Sequence, residues 1–423
     1  IPGWGGGIAT DGFNANPSFS SSQGGLIPAF ILSEGPPQNF ARPPFLDSGF
    51  LNGQNAPLYR PIDANRLPYT QQWNLTIEHQ ASKTITVSAA YVGSKGTRLI
   101  SRLNPLNALN PKLLTQYGSR LNDEFAPGQT SLDGVPVPYT GWVDQMQACP
   151  PSVAQALLPY PQYCGNIYGI NENNGNSTYH SLQLKAEKRF SRGLWFLTSY
   201  TYSKLLTNAD SNQPGTLGVS PFEQQRSKGL SVNDIPHSLS IATTYDLPFG
   251  KGQRWLNGGG AVNRLVGGWK LSSILRFGSG TPFAFSSSFC NVPSQFAISC
   301  IPGILPGQNP WAQDKSNFDP SKPLFNIAAF EPVSAFESPA YYGSGARITT
   351  YRGFGYHNQD FALSKEVQIT ERVSFQLRGE VFNLWNNHTY TGFDTDIASG
   401  TFGQWNGSVS PPRNIQIAGR ITF

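Results

Sequence analysis

From Gln71 onward, apolar and polar residues alternate in short bursts separated by turn-rich stretches. Trp73, Leu75 and Ile77 oppose Asn74, Thr76 and Glu78, and after a turn near Gln80–Lys83, Ile85, Val87, Ala89 and Tyr91 oppose Thr86, Ser88 and Ala90. Successive side chains of a strand point to opposite faces, so each burst predicts a strand with one greasy side and one wet side. The same pattern returns in Tyr179–Phe190, Leu194–Lys204, His237–Leu247, Gly268–Gly278, Gly355–Gln368 and Val373–Asn383. It closes in Arg413–Phe423, where Ile415, Ile417, Gly419, Ile421 and Phe423 fall on one side and Asn414, Gln416, Ala418, Arg420 and Thr422 on the other. Nine strands are predicted. Residues 1–70 show no sustained period and read as an external loop region before the first complete strand; 71–423 carry the strands.

The connections alternate in length. Short ones are expected near 80–83, 191–193, 248–267 and 369–372, and long irregular ones near 101–177, 205–236, 279–354 and 384–412. Outer-membrane barrels show this asymmetry, with short periplasmic turns and long external loops, and strands of about nine to eleven residues suit a tilted crossing of the hydrocarbon core. Tyr and Trp gather near strand ends (Trp73, Tyr91, Tyr200, Tyr202, Tyr245, Trp269), as interfacial girdles do. A large soluble sandwich or propeller also alternates. It would not place its charges almost wholly on one strand face, nor carry such long loops at one end only.

Composition sharpens the choice. Only 13% of residues are charged while mean hydropathy is −0.32, so Ser, Thr, Asn, Gln and Tyr replace the missing charge, as in loops and barrel lumens. No stretch approaches the roughly 18 apolar residues of a membrane helix, which leaves a barrel open. The net charge of +5 is spread out, with no Lys/Arg run of the kind that marks a nucleic-acid partner. Cys149 with Cys164, and Cys290 with Cys300, form two local pairs around Pro-bearing segments; they are candidate loop-closing disulfides made outside the cytoplasm.

Candidate chemistry is sparse. The histidines His79, His180, His237, His357 and His388 are isolated from one another, and Asp394–Thr395–Asp396 lacks the ligand spacing of an EF-hand loop. The glycine-rich runs Gly278–Phe283 and Gly250–Gly252 lack the strand–loop–helix setting of a phosphate cradle. No catalytic, cofactor or metal site is expected. Lys270, Arg276, Arg378, Glu380 and Arg420 fall on polar strand faces; they are candidate lumen-facing residues, suited to cross-strand ladders or to touching a solute.

Four stretches then carry a resemblance: QQWNLTIEHQ…AAYVGSKGTRL, YHSLQLKAEKRFSRGLWFLTSYTYSK, DIPHSLSIATTYDLPFGKG…LVGGWKLSSILRFGSGTPF and RGEVFNLWNNHTY, followed by the terminal RNIQIAGRITF, whose Ile415, Ile417, Ile421 and Phe423 form the C-terminal strand signal. In this order they resemble the C-terminal barrel of TonB-dependent transporters of the Oar-like type. The resemblance implies an all-β, antiparallel outer-membrane β-barrel of 22 strands, with an N-terminal plug and an inner-membrane TonB complex that supplies energy. Counting back from the end places Gln71–Gln80 as the fourteenth strand. The chain, which opens IPGWGGG, is then expected to be the C-terminal piece of a longer protein and not to insert as a stable barrel by itself. The implied partners are outer-membrane lipid, TonB through the plug, and a solute too large for porins: a glycan, a peptide or an iron chelate. Two other readings stay open: a surface binding or adhesion barrel that never transports, and a soluble β-rich lectin or hydrolase.

Overall fold

The computed structural model describes residues 20–35, 49, 51–64, 66–101, 103–170, 172–210, 219–257 and 260–423. Most of 1–50, expected to be external loop, lies outside them. Nine long strands form: β1 (Tyr69–Ser82), β2 (Ile85–Ser101), β3 (Glu172–Ser191), β4 (Leu194–Thr207), β5 (His237–Asp246), β6 (Trp269–Gly278), β7 (Tyr356–Gln368), β8 (Ser374–Phe382) and β9 (Asn414–Thr422). Each pairs antiparallel with its sequence neighbours in one sheet, in the order β1 to β9, and the two-residue stretch Gly229–Leu230 adds to the end of β4. No pairing joins β1 to β9 among the described residues.

Register explains why this order is stable. Leu75 lies opposite Tyr91, Tyr91 opposite Leu182, Leu182 opposite Tyr202 and Tyr202 opposite His237. Ile241 continues the row to Leu275, and further along Leu271 meets Leu363, Phe361 meets Val381 and Val381 meets Ile415. The apolar residues of nine separate segments therefore share one face, and a one-residue slip in any strand would turn its greasy set to the wet side. Gly93 serves this face directly: a Cβ there would come within 2.3 Å of the Trp73 ring, so only glycine lets the indole lie across the strand. Aromatics and histidines mark the loop end of the apolar face (Trp73, Tyr91, His180, His237), and Tyr245 and Trp269 mark the turn end. Tyr91 Oη and His180 Nδ1 are hydrogen-bonded at 2.7 Å, as are Tyr200 Oη and His237 Nδ1 at 2.8 Å. His237 and Tyr245 are eight residues apart on β5, about 26 Å along the strand, the height of an outer-membrane apolar band.

This face makes a direct prediction. Leu275→Arg, near the middle of the band, should destabilise the protein in a bilayer by about 2–4 kcal/mol, while Ser272→Arg on the opposite face of the same strand should change little. Denaturant titration in liposomes reads both, and equal tolerance of the two would remove the lipid-facing assignment.

β1 and β4 reach 14 residues each, and β2 and β3 outgrow expectation most. β2 has 17 residues and β3 has 20, against the roughly ten of a crossing. The sequence predicts β3 to start at Tyr179, yet Glu172–Thr178 pair with the far end of β2 across two register shifts. This Asn- and Gly-rich stretch shows no alternation because it lies beyond the apolar band, with Ser101, Glu172 and Asn173 buried there.

The long loops also depart from expectation. They are not irregular cover: every fully buried large apolar side chain of the described residues lies in them, Trp142, Phe296, Phe330, Phe336, Leu114, Leu121, Leu324 and Ile397 among them. One core joins Leu109, Leu114 and Leu158 of the β2–β3 loop to Phe296, Leu324 and Phe336 of the β6–β7 loop and to Ile397 and Phe402 of the β8–β9 loop. A smaller cluster packs Phe125, Val135, Trp142 and Val153. The loops thus build a cap with its own apolar interior. The sheet has none, because its apolar face points outward.

Candidate functional site

Position fixes the cap before chemistry does. The segment ahead of β1 is laced to it by parallel bridges Asn55–Cys164 and Tyr59–Gly169, and Gly53 touches the Gln145 carbonyl so closely that no Cβ would fit. Cys149–Cys164 and Cys290–Cys300 are disulfide-bonded, closing spans of 15 and 10 residues. Two arginines tie loops to strands. Arg347, buried, donates to Thr207 O at 2.8 Å and Leu230 O at 3.0 Å and pairs with the buried Asp210. Arg352 donates to Asp234 Oδ2, whose Oδ1 accepts the Leu205 amide at the loop end of β4.

At the base of the β8–β9 loop stands Asn383, buried and in the left-handed backbone region at φ 54. Its side-chain amide donates to the carbonyls of Asn387 (2.9 Å) and Pro411 (3.1 Å), and its oxygen accepts the Asn387 amide (2.9 Å). One asparagine therefore clasps both ends of the loop. Its own backbone N–H donates to Asp360 of β7, which also accepts from Asn358. The Phe382–Asn387 run of the sequence is this clasp.

Three clefts run beside it. One, of about 300 Å³, is lined by Tyr356, Asn358, Asp360, Asn383 and Asn414 at the loop end of the polar face. A second, of about 340 Å³, shares His357, Asn387 and Thr389 with the first and adds Lys315, Phe318 and Tyr390. A third, of about 450 Å³, shares Lys315 with the second and is lined by Asn309, Trp311, Gln313 and Asp314. Each cleft shares lining residues with the next, and the first opens at the polar face of the sheet. Neutral amides and aromatic faces dominate them, with one held cation: Lys315 Nζ donates to Arg352 O at 2.9 Å and sits 4.7 Å from the centre of the Trp311 ring. Burial pushes the Lys315 ammonium below its ordinary range, and the neighbouring Asp314 partly opposes that. Such clefts can stack on a flat ligand face and exchange hydrogen bonds with hydroxyls or amides.

The nominated residues fall as follows. Lys270, Arg276, Arg378, Glu380 and Arg420 all project from the polar face, none in the clefts. Lys270 pairs with Asp246 at 3.6 Å, Arg378 pairs with Glu380, and Gln416 donates to Glu380; Arg276 lies opposite Ser240 and Asn358, and Arg420 opposite Gln376. Lys270–Asp246 and Gln416–Glu380 are cross-strand contacts, Arg378–Glu380 is a pair along one strand, and Arg276 and Arg420 face neutral polar neighbours. Ile415, Ile417 and Ile421 lie on the outer face of β9, and Phe423 is exposed beyond its end. His357 and His388, isolated in sequence, line one cleft. Asp394 and Asp396 are occupied by turn contacts: Asp394 accepts Thr401 Oγ1 at 2.7 Å and Asp396 accepts the Ser288 amide at 2.9 Å. Sequence reasoning did not nominate Trp311, Lys315 or Asn383, whose partners Tyr351, Arg352 and Pro411 lie far along the same loops; the Asn-rich stretch Asn383–Asn387 was the available signal.

Glu331 supplies a pH handle on the cap. Burial alone would raise its pKa, but the Gly303 amide, Ser344 Oγ and Tyr341 Oη all donate to it and hold it below the ordinary carboxylate range. A carboxylate depressed in the folded state stabilises it above the unfolded pKa, and that contribution is lost as pH falls through the folded value. Cap unfolding should therefore become easier below about pH 4, and Glu331→Gln should flatten that dependence. Tryptophan fluorescence during acid titration would show it; an identical acid limb in the variant would count against Glu331.

No curated protein matches the chain. Among solved structures, the outer membrane transporter YddB from Escherichia coli aligns with TM-score 0.37 and 11% identity over 88% of this chain and 34% of its own. FpvA from P. aeruginosa, solved with heterologous pyoverdines, aligns with TM-score 0.36 and 11% identity over 87% and 29%. The ferric-catecholate import receptor Fiu from E. coli K12 gives TM-score 0.37 and 9% identity over 87% and 30%. The chain thus spans about a third of the length of these proteins. Residues 5–416 match the outer membrane beta barrel domain family, and the chain, a protein of the bacterial outer membrane, belongs to it.

Proposed function

We propose that this chain is the solute-capturing part of a TonB-dependent receptor of the Oar-like type, which with a plug takes up a solute too large for porins. The observation that carries the reading is the set of neighbouring clefts, with shared lining residues, where the cap meets the loop end of the polar face. A wall element needs ladders on that face; it does not need a packed cap with amide- and aromatic-lined clefts above it. The chemistry of the clefts favours a glycan or a peptide over an iron chelate. Trp311, Phe318 and Tyr390 offer ring faces, the Asn side chains offer paired donors and acceptors, and Lys315 is the one cation among the residues named.

The test uses cells making the full-length protein. Fluorescent oligosaccharides and peptides are screened for uptake with and without an intact TonB system. A captured class should bind in both backgrounds but enter only with TonB, and Trp311→Ala with Tyr390→Ala should weaken capture about tenfold or more by removing two ring faces. Binding without entry in either background would leave a surface binding barrel, and capture indifferent to both substitutions would dissociate the clefts from the ligand.

A further inference from the structure

At the opposite end of the sheet, the β5–β6 connection does more than turn the chain. It carries a short helix, Ala261–Val266, and a loop closed by a Phe249–Trp255 bridge. Between them lies a groove of about 440 Å³ lined by Leu247, Phe249, Leu256, Leu265, Val266 and Trp269. Leu363 of β7 completes it, and Leu363 and Trp269 both belong to the apolar face of the sheet. The groove is therefore continuous with the lipid-facing surface. Its lips stay uncovered: Leu256 is 56% and Leu265 72% exposed.

The groove is also held in shape. Lys365 Nζ donates to the carbonyls of Leu265 and Gly267 at the end of the helix and lies 5.0 Å from the centre of the Trp269 ring. Asn263 Oδ1 accepts the Lys251 amide, fastening helix to loop. Three exposed cations, Lys251 of the loop, Arg254 beside Trp255 and Arg264 in the last helical turn, belong to the elements that form its lips. The nearest carboxylates in sequence or pairing, Asp246 and Glu366, are on the polar face of the sheet.

We propose that this groove seats one acyl chain of an anionic phospholipid of the inner leaflet, with Arg254 and Arg264 at its phosphate. An apolar slot open to lipid and edged by arginine fits a lipid with a negative headgroup, because basic residues near a membrane surface are drawn to anionic headgroups. Position fixes the leaflet, since the short-turn rim of an outer-membrane barrel is the periplasmic one. The site stands apart from solute capture, so its test does not depend on uptake.

The experiment is native mass spectrometry of the protein extracted from outer membranes, stripped of lipid in detergent and titrated with phosphatidylglycerol or phosphatidylcholine. Wild type should retain one phosphatidylglycerol about tenfold more tightly than phosphatidylcholine. Joint Arg254→Gln and Arg264→Gln should erase that preference, and Leu265→Gln should weaken both lipids. Heat-modifiable migration confirms that each variant is folded. Where a variant fails to fold, the comparison of the two lipids on wild type still decides. Equal retention of both lipids by wild type, unchanged phosphatidylglycerol binding in the folded variants, or a dimer mass without lipid would each overturn the proposal.

Discussion

Reducing both disulfides is expected to remove somewhat under about 6 kcal/mol of stability from the cap while leaving the sheet intact. In the chain-entropy account, a loop of 15 residues contributes about 3 kcal/mol and one of ten slightly less. The bridges are placed to make that loss local. Cys164 anchors the edge where the segment before β1 docks: its amide donates to Gln54 O at 2.8 Å and its carbonyl accepts the Ala56 amide at 2.7 Å. Cys300 is buried in the main cap core beside Phe296 and Phe336, and its carbonyl accepts the Ser287 amide at 3.1 Å. Opening Cys149–Cys164 should therefore free the 51–59 segment, and opening Cys290–Cys300 should loosen the interior of the cap. Limited proteolysis with and without reductant reads this directly: new cuts should appear near 52–60, 150–163 and 291–299, and none within β4–β8. Unchanged cleavage after full reduction would show that the apolar core alone holds the cap.

The second large effect concerns Arg347. Its guanidinium and the Asp210 carboxylate are 2% and 1% exposed, and the same guanidinium satisfies the carbonyls of Thr207 and Leu230. Removing one partner leaves a buried charge unpaired, and such losses run to about 3–5 kcal/mol. Arg347→Met should show that loss as a lowered unfolding midpoint, together with faster amide exchange in 219–236 and 340–350. Joint Arg347→Met and Asp210→Leu should recover much of it, because an apolar pair of similar volume carries no desolvation cost. If Arg347→Met costs under about 1 kcal/mol, the pair is solvated in the native protein and the tie between loop and strand is not electrostatic.

These predictions sit where the sequence was least legible, for a physical reason. The nine strands could be read because lipid on one side and water on the other write a period of two into every crossing. Leu182, Leu184 and Ala186 declare their face without reference to any other strand. The cap has no such local signature. Leu114, Phe296 and Ile397 meet across most of the chain's length, and nothing around any one of them announces the other two. Charges behave alike: Arg347 and Asp210 are 137 positions apart and look ordinary in isolation. The start of β3 was missed because Glu172–Thr178 pair above the band, where alternation is no longer required. The Lys270, Arg276, Arg378, Glu380 and Arg420 faces were readable from the strands. The clefts were not, because they are assembled from segments with no period of their own.

The sheet pairs only sequence neighbours, whereas the cap core gathers residues from Leu109 to Phe402. Order of assembly follows from that difference. Each hairpin can form as soon as its two strands exist, but the cap interior cannot close until the β8–β9 loop has been delivered. Both disulfides, by contrast, span short stretches and need no distant partner. Oxidation in the periplasm can therefore precede the cap, so that the loops cross to the outside as small pre-tied rings and find one another only after the last hairpin is in place. Aligning the cap is then the final event of biogenesis, and a molecule halted one hairpin short would lack both the edge of the wall and the loop that closes the lid.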